Sequence, residues 1–421
     1  MLDIKAIRRD PEPVRAALSR RADGSDRRLD EVLVLDARRR ELLPEVEALR
    51  ARQNQASQSI AAAKSSGEDA GSAIAEMREV AQRAKALSEE LAEAEARLQT
   101  ELAGLPNPPE PDAPDEDTPI REVGEAGATG RDHLELAGSM IDVAAGARVS
   151  GSRFIYLTGD LVMLELALVR WALEVLRGHG FEPVVPPVLV REEALYGTGM
   201  LPDTEQQIYR LADDPLYLVG TSEVPLASLH AGEILDAGRV PLRYAGFSPC
   251  FRRESGAAGR DTRGMFRVHQ FEKVEMFSFV EPETASDEHL RLLAIEEEIL
   301  QALEIPYRVV NIAVSDLGAS AVRKYDCEAW LPGQGRYREL TSTSNTTDFQ
   351  ARRLDIRYRP AGGGSPRHVF TLNGTAVAVG RTIIALLENG QNEDGTVAIP
   401  EVLQAWGAPS VIRGGADRAP A

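Results

Sequence analysis

Cysteine is almost missing from this chain. Cys250 and Cys327 are the only two in 421 residues, too few for a disulfide framework or a thiolate zinc site, so they read as reduced cytosolic thiols and neither zinc nor another structural metal is expected. No segment reaches about 18 uninterrupted apolar residues, which excludes a membrane-spanning helix. The first twenty residues, with Lys5, Arg8, Arg9 and Pro11, hold no apolar run of signal-peptide length, and the chain reads as cytoplasmic. Positive charge is in deficit: 48 basic against 66 acidic side chains leave a net charge of -18. That excludes a charge-driven, histone-like nucleic-acid binder but leaves room for a local basic surface. There is no Gly-x-Gly-x-x-Gly or Walker-type loop, so neither a Rossmann nor a P-loop nucleotide site is supported. What remains is an ordinary globular composition, 43% hydrophobic and 27% charged, long enough for two or three domains.

Residues 1–105 differ in texture from the rest, being rich in Ala, Leu, Glu, Arg and Gln. Apolar residues recur there at alternating three- and four-residue steps, through Val32, Leu35, Leu42, Val46, Leu49, Ala56 and Ile60, and again through Met77, Val80, Ala84, Leu87, Leu91, Ala94, Leu98 and Leu102. The turn-forming segment from Ser65 to Gly71 separates the two series. Two helices joined in this way fold back antiparallel as a coiled-coil arm, about 50 Å long for some 35 residues at a rise of about 1.5 Å each. Pro44 lacks an N–H and crowds the preceding turn, which predicts a kink or a helix restart near residues 40–44. A Pro- and acid-rich stretch at 106–130 reads as a linker. Beyond it the pattern is mixed, an α+β arrangement. Helical stretches near 159–178, 222–236, 285–303 and 376–389 alternate with β-rich runs near 182–190, 215–219, 265–280, 306–314, 324–331 and 367–373. The run from Met265 to Val280 alternates polar and apolar residues, as a half-buried antiparallel strand does. This second domain extends over 131–407, and residues 408–421 read as a disordered tail.

The strongest local signal is Phe251-Arg252-Arg253-Glu254, a Gly- and charge-rich segment to Gly264, then Arg267-Val268-His269-Gln270-Phe271-Glu272-Lys273-Val274-Glu275. Strand, polar loop and returning strand place Arg252, Glu254, Phe271 and Glu275 where all can face one cleft. An Arg fork pairs with phosphate, an aromatic ring stacks on a base, and carboxylates hold an amine or a metal. Taken alone, the same hairpin also reads as a solvated surface charge cluster.

These residues resemble motif 2 of the class II aminoacyl-tRNA synthetases, and specifically of the seryl-tRNA synthetase family. The resemblance covers nearly the whole chain in order: Met1-Leu2-Asp3-Ile4-Lys5, the helical hairpin, Gly151-Ser152-Arg153-Phe154, Gly197-Thr198-Gly199-Met200-Leu201-Pro202, Thr221-Ser222-Glu223-Val224-Pro225, Gly259-Arg260-Asp261-Thr262-Arg263-Gly264, Glu339 to Asn345, Phe349 to Arg353, and Leu372 to Arg381. It implies a class II catalytic domain built on an antiparallel sheet flanked by helices. By resemblance, a motif 1 at 159–178 and on to Pro187 forms the interface of a homodimer; read from the residues, Pro187 is equally an edge-strand or turn proline.

The activity implied is ATP-dependent activation of L-serine and transfer of the seryl group to tRNA(Ser), and to tRNA(Sec) as well. By family position Arg252, Glu254 and Arg381 are catalytic. The ATP site comprises Arg252, Arg253, Glu254, Val268, Phe271, Glu339, Leu340, Thr341, Ser342 and Arg381, with Glu339 and Ser342 holding Mg2+. Serine falls to Thr221, Ser222, Glu223, Arg252, Glu275, Asn373 and Thr375, although Thr221 and Ser222 also read as caps for the helix that follows. Thr375 and Thr341 replace the family's frequent Ser, and Thr343 its frequent Cys. For the arm the implied partner is the tRNA. Residues 1–64 carry 14 basic and 11 acidic side chains, whereas 65–105 carry 4 and 9, so the first helix is the expected RNA face, with Arg50, Arg52, Asn54 and Lys64 as backbone contacts. Two other readings stay open: a synthetase-like enzyme that loads a carrier protein, and a noncatalytic coiled-coil scaffold.

Overall fold

In a computed structural model of the chain, the described residues are 1–67, 69–202, 205–255 and 264–414. They form two compact units that divide between Pro106 and Asn107. In the first, the apolar series become helices α1 (Ser25–Ser66) and α2 (Gly71–Ala103). Ion pairs Arg28–Glu101, Arg38–Glu90, Glu45–Arg83 and Arg52–Glu76 join them, the partner's number falling as the first rises, which makes the pair antiparallel. With 42 residues, α1 is about 63 Å long. Gly67 at φ +77° ends it, where a left-handed residue costs a glycine little.

Of the two outcomes expected near Pro44, a kink or a restart, the restart does not occur: α1 runs through Pro44 without interruption. An interior proline costs a helix about 3 kcal/mol. The flanking turns offset it, because Leu42 and Val46 are buried against Leu87, Leu91 and Ala94 of α2, each worth about 1.5–3 kcal/mol.

The second unit is built on eight strands: β1 (Thr118–Val123), β2 (Glu182–Val184), β3 (Leu242–Phe251), β4 (Gln270–Val280), β5 (Tyr307–Asn311), β6 (Arg323–Leu331), β7 (Arg336–Thr347) and β8 (Phe370–Ala378). Their order is β1-β5-β6-β7-β8-β4-β3-β2, antiparallel throughout except where β2 joins β3. Helices α3 (Asp160–Gly178), α4 (Glu223–Ala227), α5 (Ala285–Ala302) and α6 (Val379–Asn389) complete the frame. Leu164 and Trp171 of α3, Leu292 and Ile299 of α5, and Ile383 and Leu387 of α6 are buried in the main core with the sheet. Among the described residues no helix is long and apolar enough to cross a membrane.

Several sequence expectations need correction. The stretch read as a linker is fastened down: Asn107 donates through Nδ2 to Ser320 O and Thr346 O at 2.9 and 3.0 Å, and β1 pairs with β5 at the sheet edge. The expected tail is ordered at its start, since Val411–Arg413 pair with Thr396–Ala398; residues 415–421 lie outside the described residues. The helix expected over 222–236 stops at Ala227, and Ile234–Leu235 are strand. Residues 376–378 belong to β8, not to the helix. The run 265–280 becomes strand only from Gln270, and from Lys273 onward both of its faces are buried, Val274 and Met276 in the main core and Phe277 and Phe279 in a second apolar cluster.

Candidate active site

The site starts from the two-residue period of β4. Phe271, Lys273 and Glu275 lie opposite Cys250, Ser248 and Gly246 of β3, and their alternation turns all three to one face while Val274 and Met276 enter the core. Gly246 permits a close approach: a β-carbon there would come within 2.7 Å of Leu226 and 3.0 Å of Ser222. That clearance lets α4 sit against β3 and carry Glu223 toward Glu275. Just past β3, Arg252 donates from Nε to Gly220 O at 3.1 Å, and its guanidinium stands 5.2 Å from the Phe271 ring centroid.

Two adjoining clefts result. The first, with about 610 Å3 of empty space, is lined by Arg252, Glu254, Phe271, Glu339, Ser342 and Arg381, among others. Arg381 is held from both sides, donating from Nη1 to Glu339 O at 3.0 Å and from Nε to Phe266 O at 3.4 Å. The Phe266 ring carries two guanidinium groups, Arg381 at 4.6 Å and Arg338 at 3.8 Å. Glu254, at φ +51°, accepts from Arg267 Nη1 at 2.6 Å. The Glu339 side chain is half exposed; partial desolvation pushes its carboxyl up, but the positive charges of Arg381, Lys324 and Arg252 outweigh it and hold it below the usual carboxylate range. Three guanidinium groups, an aromatic wall and the carboxyl groups of Glu254 and Glu339 suit a polyphosphate nucleotide accompanied by a cation. Among the described residues no three His, Cys, Asp or Glu converge as a metal cage. Glu339 and Ser342 offer hard oxygen donors, which fits a Mg2+ held mostly by phosphates and water.

The second cleft, about 890 Å3, shares Arg252, Lys273, Glu339, Ser342 and Thr375 with the first and adds Thr221, Glu223, Glu275 and Asn373. Glu223 Oε1 accepts from Gln350 Nε2 at 2.7 Å and Asn373 Nδ2 at 2.9 Å, and Thr221 Oγ1 accepts the Glu223 N–H at 3.2 Å. Burial pushes Glu223 up, against those hydrogen bonds and the charges of Lys273 and Arg252. Glu275 is ion-paired with Lys273; burial nevertheless pushes its carboxyl up to about 7, with the Glu223 charge adding to the rise. Two carboxylates beside a lysine and an arginine match the poles of a zwitterionic amino acid.

Of the residues expected at the site, Arg253 and Ser222 line neither cleft, and Thr341 lines the first but directs its hydroxyl elsewhere. Arg253 is exposed. Ser222 is buried with its hydroxyl 2.8 Å from Ser248 Oγ. The Thr341 hydroxyl donates to Glu296 on α5 at 2.8 Å. Val268 and Leu340 are buried in the wall of the first cleft. The segment Gly259 to Arg263 lies outside the described residues. Sequence reasoning missed Lys273, Phe266 and Gln350. Lys273 was accessible from its alternation with Phe271 and Glu275; Gln350 is marked by nothing local. In the arm, Arg52 pairs with Glu76 at 3.1 Å and Arg50 donates to Ser88 Oγ at 3.3 Å. The surplus of Arg in α1 is thus partly spent on the acids of α2, though both guanidinium groups, Asn54 and Lys64 remain exposed.

Residues 1–109 match the seryl-tRNA synthetase N-terminal domain family, and residues 208–390 match the class II tRNA synthetase core domain family (G, H, P, S and T). The serine–tRNA ligase of Thermobifida fusca is 51% identical over 429 aligned positions, 98% of this chain and 99% of its own. The chain belongs to the seryl-tRNA synthetase family. Among solved structures, the seryl-tRNA synthetase of Pyrococcus horikoshii complexed with ATP is similar at a TM-score of 0.90, with 43% identity over 98% of this chain and 100% of that one. The cytoplasmic serine–tRNA ligase of Naegleria fowleri, in complex with AMP, gives 0.83 and 30%, over 96% of each chain.

Proposed function

We propose that this chain activates L-serine with ATP to seryl-adenylate, releasing pyrophosphate, and passes the seryl group to tRNA(Ser), with tRNA(Sec) as a second acceptor, in the cytoplasm. The observation that carries this reading is the pair of clefts that share Arg252. A serine carboxylate oxygen attacks the α-phosphorus, the bond to the bridging oxygen breaks, and pyrophosphate departs with the electron pair. A 3′-terminal hydroxyl of tRNA then attacks the seryl carbonyl and AMP leaves. No protein nucleophile is needed; the task is placement and charge stabilisation. Arg252 bridges carboxylate and α-phosphate, Phe271 stacks on adenine, and Arg381 takes the terminal phosphates. Glu339 and Ser342 would hold a Mg2+, which would neutralise charge on the phosphates. The serine ammonium lies toward Glu223 and Glu275, with Thr221, Asn373 and Thr375 as polar partners. The long arm favours tRNA over a carrier protein as acceptor.

Serine-dependent pyrophosphate exchange, followed by charging of tRNA or of a carrier protein, tests the reading. Serine is expected to support exchange and alanine to fail, since alanine leaves buried polar groups unpaired; equal exchange with alanine would sink it. The pH dependence adds a second check. Glu275 pairs with an ammonium only when ionised, and its carboxyl titrates near 7. The KM for serine should therefore rise as pH falls through 7, approaching about tenfold per unit at lower pH, and Glu275→Gln should raise KM and flatten the profile.

The second copy in a homodimer is supported by an unpartnered apolar face on α3, where Met163 and Leu166 are 49% and 57% exposed and Val162 is beside them. Leu166→Glu is expected to yield monomers in sedimentation; an unchanged dimer would move the interface elsewhere.

A further inference from the structure

Glu296 lies at the centre of α5 with no solvent exposure. A carboxyl group sealed inside a core is costly, and an apolar side chain of similar size is often at least as stable there. Its contacts suggest why it is tolerated. Oε2 accepts the Thr341 hydroxyl at 2.8 Å. Oε1 has no hydrogen bond of ordinary geometry among the described residues, and it lies against β8, since a β-carbon at Gly374 would come within 2.9 Å of it. Gly374 sits between Asn373 and Thr375 of the second cleft, while Thr341 sits between Glu339 and Ser342 of the first.

The pairing of β6 with β7 shifts register between Cys327 and Glu328: Cys327 lies opposite Thr341, yet Glu328 lies opposite Glu339. Leu340 is the extra residue of a β-bulge. In a regular strand Glu339 and Ser342, three apart, would point to opposite faces. The bulge reverses one of them, so both line the nucleotide cleft and Thr341 turns back to α5.

We propose that Glu296 is a positioning residue that pins this bulge through the Thr341 hydroxyl and so keeps Glu339 and Ser342 together in the nucleotide cleft. This rests on the ATP-dependent activation proposed above. Burial pushes the Glu296 carboxyl well above the usual range; the Thr341 hydroxyl works against the rise, and the charges of Asp326 and Glu275 add to it. Glutamine keeps an oxygen that accepts the Thr341 hydroxyl, as Oε2 does, and methionine does not.

The test compares Glu296→Gln, Glu296→Met and Thr341→Val in the full-length protein, by thermal unfolding, by calorimetric titration with ATP and Mg2+ in the absence of serine, and by serine-dependent exchange. Glu296→Gln, which keeps an oxygen to accept the Thr341 hydroxyl, should stay within about twofold of the parent. Glu296→Met should unfold no earlier than the parent, yet lose about 10- to 100-fold in ATP affinity and exchange, with the KM for serine changed less than about twofold. Thr341→Val should lose in the same direction. Parent-like ATP affinity in both Glu296→Met and Thr341→Val would overturn the proposal. So would a fall in melting temperature that accounts for the lost activity, because that would make Glu296 a purely structural group. A parent that binds ATP but fails to activate serine would instead refute the proposed reaction, leaving the calorimetric comparison to judge the bulge.

Discussion

Arg252→Ala and Arg381→Ala are each expected to lower serine-dependent pyrophosphate exchange by at least about 10^2–10^3-fold while the protein remains folded. The two clefts meet at Arg252, so on the proposed reading its removal strips charge from the point where carboxylate and α-phosphorus approach. Arg381 is aimed before substrate arrives, by the carbonyls of Glu339 and Phe266 and by the Phe266 ring. Little reorganisation is left for the reaction step, which is what makes such a charge effective. Neither side chain supports the core. Lost hydrogen bonds to partly exposed carbonyls cost about 1 kcal/mol, and melting temperature should move by only a few degrees. Lysine at either position keeps the charge but loses the planar fork, so a partial defect is expected. Exchange rates on variants of verified melting temperature decide it: near-parental rates in either alanine variant would remove that arginine from the site.

The arm was legible because a helix repeats its buried face at a fixed spacing, and Leu87, Leu91, Ala94, Leu98 and Leu102 are buried as that spacing requires. Strand β7 was not legible, although it lies near the centre of the sheet. Its sequence from Thr341 to Thr347 has no apolar alternation, because it buries polar groups that find distant partners: Thr343 Oγ1 donates to Asn373 O at 2.8 Å and Thr346 Oγ1 to Thr371 O at 2.7 Å. Nothing local announces those partners. Strand β1 hid for a different reason, since Pro119 and its acidic neighbours are acceptable on a sheet edge. At the site, motif spacing picked out residues that mostly gather at the two clefts, but not the faces they present. Ser222 stands next to true lining residues in the chain, yet the tight α4–β3 packing turns it away, and Thr341, itself in the wall of the first cleft, turns its hydroxyl back to Glu296. Phe266 escaped because its use depends on Arg338 and Arg381, far away in sequence.

The largest separation of functions is expected from shortening the arm. Deleting residues 48–85 and closing the gap with a short Gly-Ser linker removes Arg50, Arg52, Asn54 and Lys64, but keeps Leu42 and Val46 packed on Leu87, Leu91 and Ala94. The ion pairs Arg38–Glu90 and Arg28–Glu101 also survive, so the stump retains its own seam. All residues that line the two substrate clefts lie at Met200 or beyond. Serine-dependent exchange should therefore stay within about twofold of the parent, whereas tRNA charging should collapse with the loss of phosphate and sugar contacts. Point substitutions act in the same direction but more weakly. The Arg52–Glu76 pair is exposed on both sides, 61% and 68%, and such pairs are worth at most about 1 kcal/mol, so the guanidinium can leave Glu76 for a phosphate. Removing the charges of Arg50, Arg52 and Lys64 together should raise the KM for tRNA and lower the slope of its salt dependence by up to about three phosphate contacts. Exchange and charging measured on one preparation separate the outcomes. A shortened protein that still charges tRNA like the parent would make the arm an assembly element and withdraw those four residues from the RNA face.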